Sequence, residues 1–277
     1  MSLSDNHQKK INRSLIYIQN HLGNKLSLNT ISEVANLSPY HFHRIFKSYS
    51  GENLHDYIKR LRLEKAAFMI NHSSRPITEI GLSSGYETPA SFSKAFKFRF
   101  GIPPRSFRKN EIYEPDKSEK NPQQPTFVTL QPKQVFFKRE TGCYQQAATR
   151  AWEALMRQAY SIGIIRETTQ ALGITYDCPY ITEENKIRYD ACISLENGIK
   201  EQQSSYVQTI EGGYYAVFRH IGAYEKIDIL YSYIYGQWLT QSNETLRDAP
   251  GFCHYHQLDP RGVPEEERVT DVYIPLR

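Results

Sequence analysis

Tyr40, His43, Arg44 and Lys47 fall at helical spacing along one stripe of the chain and bring a phenol, an imidazole, a guanidinium and an ammonium to one face. Such a set can read a nucleic acid. A guanidinium takes guanine O6 and N7 through two hydrogen bonds, a phenol or imidazole reaches other base edges, and an ammonium pairs with phosphate. Fifty residues later Ala90, Ser93, Lys94 and Lys97 hold the equivalent positions. Ala90 can meet a thymine methyl, but Ser93 and Lys94 make a weaker readout, so the first stripe should carry more of the specificity.

The elements that must position these stripes are near copies of each other. SPYHFHRIFKSYSG from Ser38 and TPASFSKAFKFRFG from Thr88 each run hydroxyl, proline, two spaced phenylalanines, lysine and a closing glycine. The hydroxyl caps a helix, and proline suits its first position because the missing N–H has no helical partner there. Phe42 and Phe46, like Phe92 and Phe96, share the opposite stripe and should hold each helix onto its neighbour. Short helices precede both copies, with Leu28, Ile31, Val34 and Ala35 inward in the first and Ile77 and Ile80 matching in the second. Asn36-Leu37 and Gly85-Tyr86-Glu87 supply the turns. Ile11, Leu15, Ile18 and Leu22 mark a preceding amphipathic helix. Helix, turn and capped helix, twice over, is a tandem helix-turn-helix. Between the two, Leu54 to Asn71 predicts a connecting helix with Leu54, Ile58, Leu61 and Phe68 inward and Lys59, Arg60, Arg62 and Lys65 outward. Its length of roughly 27 Å approaches the ~34 Å turn of a duplex, so one chain can present both stripes to successive major grooves.

Charge follows the same division. Residues 1–113 carry 17 Lys/Arg against 8 Asp/Glu, and residues 114–277 carry 17 against 22. The basic third suits double-stranded DNA and the acidic remainder does not. Glu111 to Pro125 is polar, proline-containing and aperiodic, and reads as a linker between domains at 1–110 and 126–277.

The acidic part has its own duplication. VFFKRETGCYQ from Val135 resembles AVFRHIGAYE from Ala216, and Asp190 and Asp271 lie 81 residues apart. Each copy reads as a strand, a helix holding Trp152 or Trp238, and a return of two strands. The expected fold is therefore multidomain: an all-α tandem helix-turn-helix domain, then an α+β domain with an internal pseudo-twofold repeat. A cleft between such halves is a natural ligand site. Fourteen of the twenty tyrosines follow residue 125. Tyr144, Tyr176, Tyr215, Tyr224, Tyr255 and Tyr273 are expected to line the cleft with Trp238 and Cys253, offering π-faces and hydroxyls to a flat ligand. Glu225 supplies either a pocket acid or a charge at a helix start. Cys253 and Tyr255 share one face of a strand and His254 and His256 the other. The HxH pair could ligate a metal, but the spacing offers no third ligand, so no metal or cofactor is expected.

Four cysteines without a CxxC pair argue against a disulfide framework or zinc ribbon. No apolar run is long enough to span a bilayer, and the N-terminus reads as that of a mature cytoplasmic protein. No phosphate loop, nucleophile elbow or paired catalytic carboxylate is present.

Residues 9–109 resemble the AraC/XylS DNA-binding domain, and the closing GIPPRSFR (Gly101 to Arg108) matches that family's signature. By that resemblance Tyr40, His43 and Arg44 sit at first-helix base-contact positions. Residues 126–277 resemble the GyrI-like small-molecule-binding domain through GITYDCP, RYDACISL, HIGAYE and DPRGVPEEERVTDVYIPL. Cys253 stands where that family commonly has a glutamate that meets cationic ligands, so a neutral aromatic or lipophilic effector fits as well as a cation. The resemblance implies a transcription regulator, not an enzyme, tuned by a small molecule, with RNA polymerase a further candidate partner and a monomer or weak dimer as its state. The alternative is a small-molecule-sequestering or hydrolysing protein whose DNA-binding domain is subordinate.

Overall fold

Ser38 and Thr88 open their helices by accepting the backbone N–H of His41 and Ser91. Gly51 and Gly101 close them in the left-handed conformation, at φ 72° and 77°, which costs little without a Cβ. The computed structural model describes residues 5–109, 124–195 and 205–277. The expected linker lies outside these residues apart from Gln124 and Pro125. The chain divides into two compact units, one centred on Met1–Asn110 and one holding all the described strands.

In the first unit α1 (Asp5–Asn20), α2 (Leu28–Val34) and α3 (Pro39–Ser50) form one helix-turn-helix. α4 (Leu54–His72) connects it to a second, α5 (Ile77–Ser83) and α6 (Pro89–Phe100), closed by the single turn α7 (Pro104–Phe107). Phe42 and Phe46 are fully buried among Ile11, Leu15, Ile18, Leu22, Ile31 and Leu61. Their counterparts Phe92 and Phe96 meet Tyr86 and Phe107 in edge-on ring contacts. The closing motif thus supplies the ring that finishes the second core. Each buried Phe contributes about 1.5–3 kcal/mol. Leu28, expected inward, is 37 % exposed.

The second unit is one antiparallel sheet in the order β1-β6-β8-β7-β3-β4-β2-β5. Its strands are β1 (Thr126–Leu130), β2 (Lys133–Thr141), β3 (Ala171–Thr175), β4 (Arg188–Ser194), β5 (Val207–Ile210), β6 (Gly213–Ile221), β7 (Gly251–Tyr255) and β8 (Val269–Pro275). β2, β3 and β4 are the counterparts of β6, β7 and β8, and the halves meet where β3 pairs with β7, Gly173 opposite Cys253. β1 pairs with β6 and β5 with β2, so each half receives an edge strand from the other. α8 (Tyr144–Ser161) and α9 (Ile227–Tyr233), the latter continuing as a π turn over Ile234–Trp238, follow β2 and β6. Alternation along the strands turns Tyr189, Phe218, Cys253 and Tyr255 to one face, where Trp152 and Trp238 of these helical segments pack. Arg139, Asp190, Arg219, Phe252, Asp271 and Tyr273 turn to the other.

Candidate nucleic-acid interface and small-molecule site

The paired helices α3 and α6 bury and expose the same positions. In each, only the two phenylalanines are fully buried, and the stripes Tyr40/His43/Arg44/Lys47 and Ala90/Ser93/Lys94/Lys97 are exposed throughout. Tyr40 is 68 % exposed, and the Arg44 guanidinium lies 5.8 Å from its ring centroid. These are the free cationic and hydrogen-bonding groups that a base-reading helix presents. His41, also exposed, joins them through its ring contact with Tyr40; its place one position off the stripe hid it from a spacing argument.

What fixes the two stripes relative to each other is α4, and here the sequence expectation needs correcting. Arg60, expected outward, is 8 % exposed. It forks onto Glu52, just after α3, at 2.7–3.2 Å, and reaches Glu64 at 3.0 Å. Glu64 in turn accepts from Arg99 of α6 at 3.1 Å. Burial works against the Arg60 charge, but the bond to Glu52 and the charges of Glu64 and Glu52 outweigh it and hold its pKa above the ordinary value. The resulting Glu52–Arg60–Glu64–Arg99 chain ties the end of one recognition helix to the end of the other. Arg62 is half-buried and donates to the carbonyls of Leu22, Asn24 and Gly85, joining the α1–α2 connection to the turn of the second helix-turn-helix. Gly85 is required there: its φ is 84°, and a Cβ would come within 2.6 Å of the Arg62 guanidinium.

In the sheet unit an aromatic cluster lies on the helix-covered face. The Tyr189 hydroxyl accepts from the Trp152 indole at 2.9 Å and meets the Tyr255 hydroxyl at 3.2 Å. Tyr144 packs edge-on against Tyr189, and Tyr224 against Tyr255. Tyr231 stacks on Tyr235, and its hydroxyl lies 3.5 Å from the Cys253 thiol. The rings pack closely over Gly173, since a Cβ there would lie 2.4 Å from the Tyr189 hydroxyl and 3.0 Å from the Tyr255 ring. Burial, reinforced by the neighbouring phenols and the thiol, raises the pKa of Tyr144, Tyr231 and Tyr255 well above the usual phenol range. Burial likewise pushes the Cys253 thiol up to about 11. The cluster is therefore neutral at pH 7, a set of π-faces and weak dipoles suited to a flat or lipophilic guest.

Residues 123–277 match the family model described as the GyrI-like small molecule binding domain, and residues 31–110 match a helix-turn-helix domain model. The chain belongs to the GyrI-like family. An AraC-type helix-turn-helix domain precedes the GyrI-like domain, and the pairing is that of a DNA-binding transcription regulator with a small-molecule-binding domain. The transcriptional regulator Rob of Salmonella typhimurium is 23% identical over 87% of this chain and 88% of its own length. The probable transcriptional regulator YgiV of Escherichia coli is 36% identical over 39% of this chain and 68% of its own length. The structure of a transcriptional regulator with an AraC-type DNA-binding domain from Chromobacterium violaceum is 29% identical, covering 36% of this chain and 90% of that one, with a TM-score of 0.35.

The GyrI-like domain does not gather all the expected pocket residues. Tyr144, Tyr224, Cys253 and Tyr255 come together, but Tyr176, Tyr215 and Tyr273 lie on the opposite side of the sheet. There Tyr176 is held between the Arg139 and Arg188 guanidinia, 4.5 and 5.0 Å from its centroid, and donates to Asp190. Tyr215 and Tyr273 pack around Phe252. Strand parity, which a shared residue type does not reveal, separates the groups. Trp238 packs on Phe218 in the core of the second half, and Glu225 is exposed on the short turn before α9. Tyr189, Trp152, Tyr231 and Tyr235 belong to the aromatic cluster but were not expected there, although the four-residue spacing of the last two is a legible helical signal. β8 brings Asp271 to His254 and His256, so a third ligand type, not expected from the spacing, does stand beside the HxH pair.

Proposed function

We propose that this regulator binds one duplex as a single chain, inserting α3 and α6 into successive major grooves, and that a flat aromatic or lipophilic small molecule entering the helix-side cluster modulates its activity. The observation that carries the DNA part is the shared exposure pattern of α3 and α6 across an ion-paired spacer. In this reading Arg44 and His43 read bases, Tyr40 and Ala90 make base-edge or methyl contacts, and Lys47, Lys94 and Lys97 hold phosphates. Tyr144, Tyr231, Tyr255 and Cys253 line the effector site. Domain limits at residues 110 and 126 follow from the same reading. A monomer suffices because both helices belong to one chain. RNA polymerase is the proposed partner for a regulator acting at promoters, and the cytoplasm is the matching location. Among the described residues no helix is long and apolar enough to cross a membrane.

Binding without turnover is the favoured role for the pocket. A thiol with a pKa near 11 is protonated at neutral pH and is a poor nucleophile. Selection of random duplexes by the full-length protein tests the DNA reading. Two enriched blocks about ten base pairs apart are expected. Salt-sensitive binding without enrichment would refute two-helix readout.

A further inference from the structure

The two halves of the sheet carry the same ion pair in different surroundings. Arg139 lies opposite Asp190 across β2 and β4, and Arg219 lies opposite Asp271 across β6 and β8. On the other flank Ile174 is opposite Asp190, and His254 is opposite Asp271. In the first half Asp190 is saturated: Arg139 forks onto it at 2.7 Å, Tyr176 donates at 2.8 Å and Gln208 at 2.6 Å. All of its acceptor capacity is spent on structure, and its neighbour Ile174 is apolar.

In the second half two of the positions around the carboxylate, those of Tyr176 and Ile174, carry groups that can bind metal. His256 takes the place of Tyr176 and meets Asp271 at 2.7 Å, and His254 takes the place of Ile174. The two imidazoles stack with centroids 4.8 Å apart. The donor atoms of His254, His256 and Asp271 all lie within 4.8 Å of one another. Arg219 forks onto Asp271, at 2.8 Å to Oδ1 and 3.0 Å to Oδ2, and His256 meets Oδ2 as well.

We propose that His254, His256 and Asp271 bind a divalent first-row transition cation of the zinc type. A tetrahedral ion with bonds of about 2.0–2.1 Å needs donor separations of roughly 3.4 Å. The His256–Asp271 pair must open slightly and His254 close slightly, which side-chain rotation of a half-buried and an exposed histidine can supply. The hydrogen on His256 Nε2 shifts to Nδ1, Asp271 Oδ2 exchanges its bonds from His256 and Arg219 Nη2 for the ion, and Arg219 Nε keeps Oδ1. A site with three protein ligands leaves a fourth position for water or another ligand. Its surroundings set the class of ion. The Arg219 guanidinium, 2.8 Å from Asp271, offsets the one carboxylate of the set. Mg²⁺ or Ca²⁺, held by oxygen and net negative charge, is therefore disfavoured, whereas an ion that gains from imidazole nitrogen is not.

The test uses untagged full-length protein, stripped with chelator and titrated with Co²⁺ followed by optical absorption. Expected is one Co²⁺ per chain with weak ligand-field bands and no sulfur charge-transfer band, displaced by Zn²⁺ but not by Mg²⁺. His256→Gln, at an exposed position, and His254→Gln should each weaken binding by about 10–100-fold or more, at least the loss typical of a metal's outer-shell partners. A thiolate charge-transfer band, stoichiometric binding unchanged in His256→Gln, or no saturable binding to the wild-type protein would overturn the proposal.

Discussion

Arg60→Ala is the perturbation that tests how the two recognition helices are held. The wild-type guanidinium neutralises two largely buried carboxylates, Glu52 and Glu64, at 2.7 and 3.0 Å. After the substitution Arg99, 27 % exposed, remains as the cation on Glu64, while Glu52 loses the cation that forks onto it. Removing one partner of a buried pair costs about 3–5 kcal/mol, because the remaining charge stays buried without the cation that forked onto it. The first unit should lose that much stability, a large part of the roughly 5–15 kcal/mol that typically holds a domain together. Replacing Arg60, Glu52 and Glu64 together by apolar residues of similar volume should cost less, since the charge that loses its carboxylate is then Arg99, 27 % exposed. The assay separates the two units because both tryptophans, Trp152 and Trp238, belong to the sheet unit. Urea unfolding followed by far-UV ellipticity reports mainly the helical unit, with a smaller share from α8 and α9, and tryptophan fluorescence reports the sheet unit alone. Arg60→Ala should move the first transition to lower urea and leave the second in place. DNA binding measured well below the new midpoint should also weaken, as α3 and α6 lose their fixed relation. An ellipticity transition within about 0.5 kcal/mol of wild type, the range of an ordinary surface substitution, would refute the argument.

Three further outcomes are expected. Arg44→Ala should cost about 1–3 kcal/mol on the preferred site and relax specificity there, whereas Lys47→Ala should weaken all sequences alike and lower the salt dependence by about one unit; equal losses in a binding titration would contradict that division. Burial, set against a 2.7 Å contact with the Phe68 carbonyl, lowers the His72 pKa from 6.5 to about 4. The unfolded chain therefore binds the extra proton between those values, and the helical unit should lose up to ~3 kcal/mol as pH falls through that window. His72→Gln should flatten the slope, as read from urea midpoints across pH. Gly173→Ala should force the Tyr189 ring from its bonds to Trp152 and Tyr255, with an overpacking cost of about 1–3 kcal/mol visible as a shifted tryptophan emission and an earlier fluorescence transition.

Much of the molecule was legible in local pattern. Capping hydroxyls, N1 prolines and closing glycines act within a few residues, so they fixed α3 and α6 and which of their faces turn outward before any tertiary contact was known. Both duplications were equally open to reading, because a repeat of sequence at a constant shift requires a repeat of fold. What local pattern could not decide was where charges and rings go once strands and helices meet. Arg60 looks like any solvated helix cation until Glu52 and Glu64 close around it, a matter of elements brought together by packing. Six tyrosines looked like one pocket, but a strand turns alternate residues to opposite faces, and the sheet divides them. Asp271 stands beside His254 only because β7 pairs with β8 in one register, and a shift of one residue would turn the carboxylate away. The sequence by itself determined the elements, their repetition and the two classes of partner. The tertiary structure decided which side chains share a face, because that depends on strand register and helix packing and not on residue type.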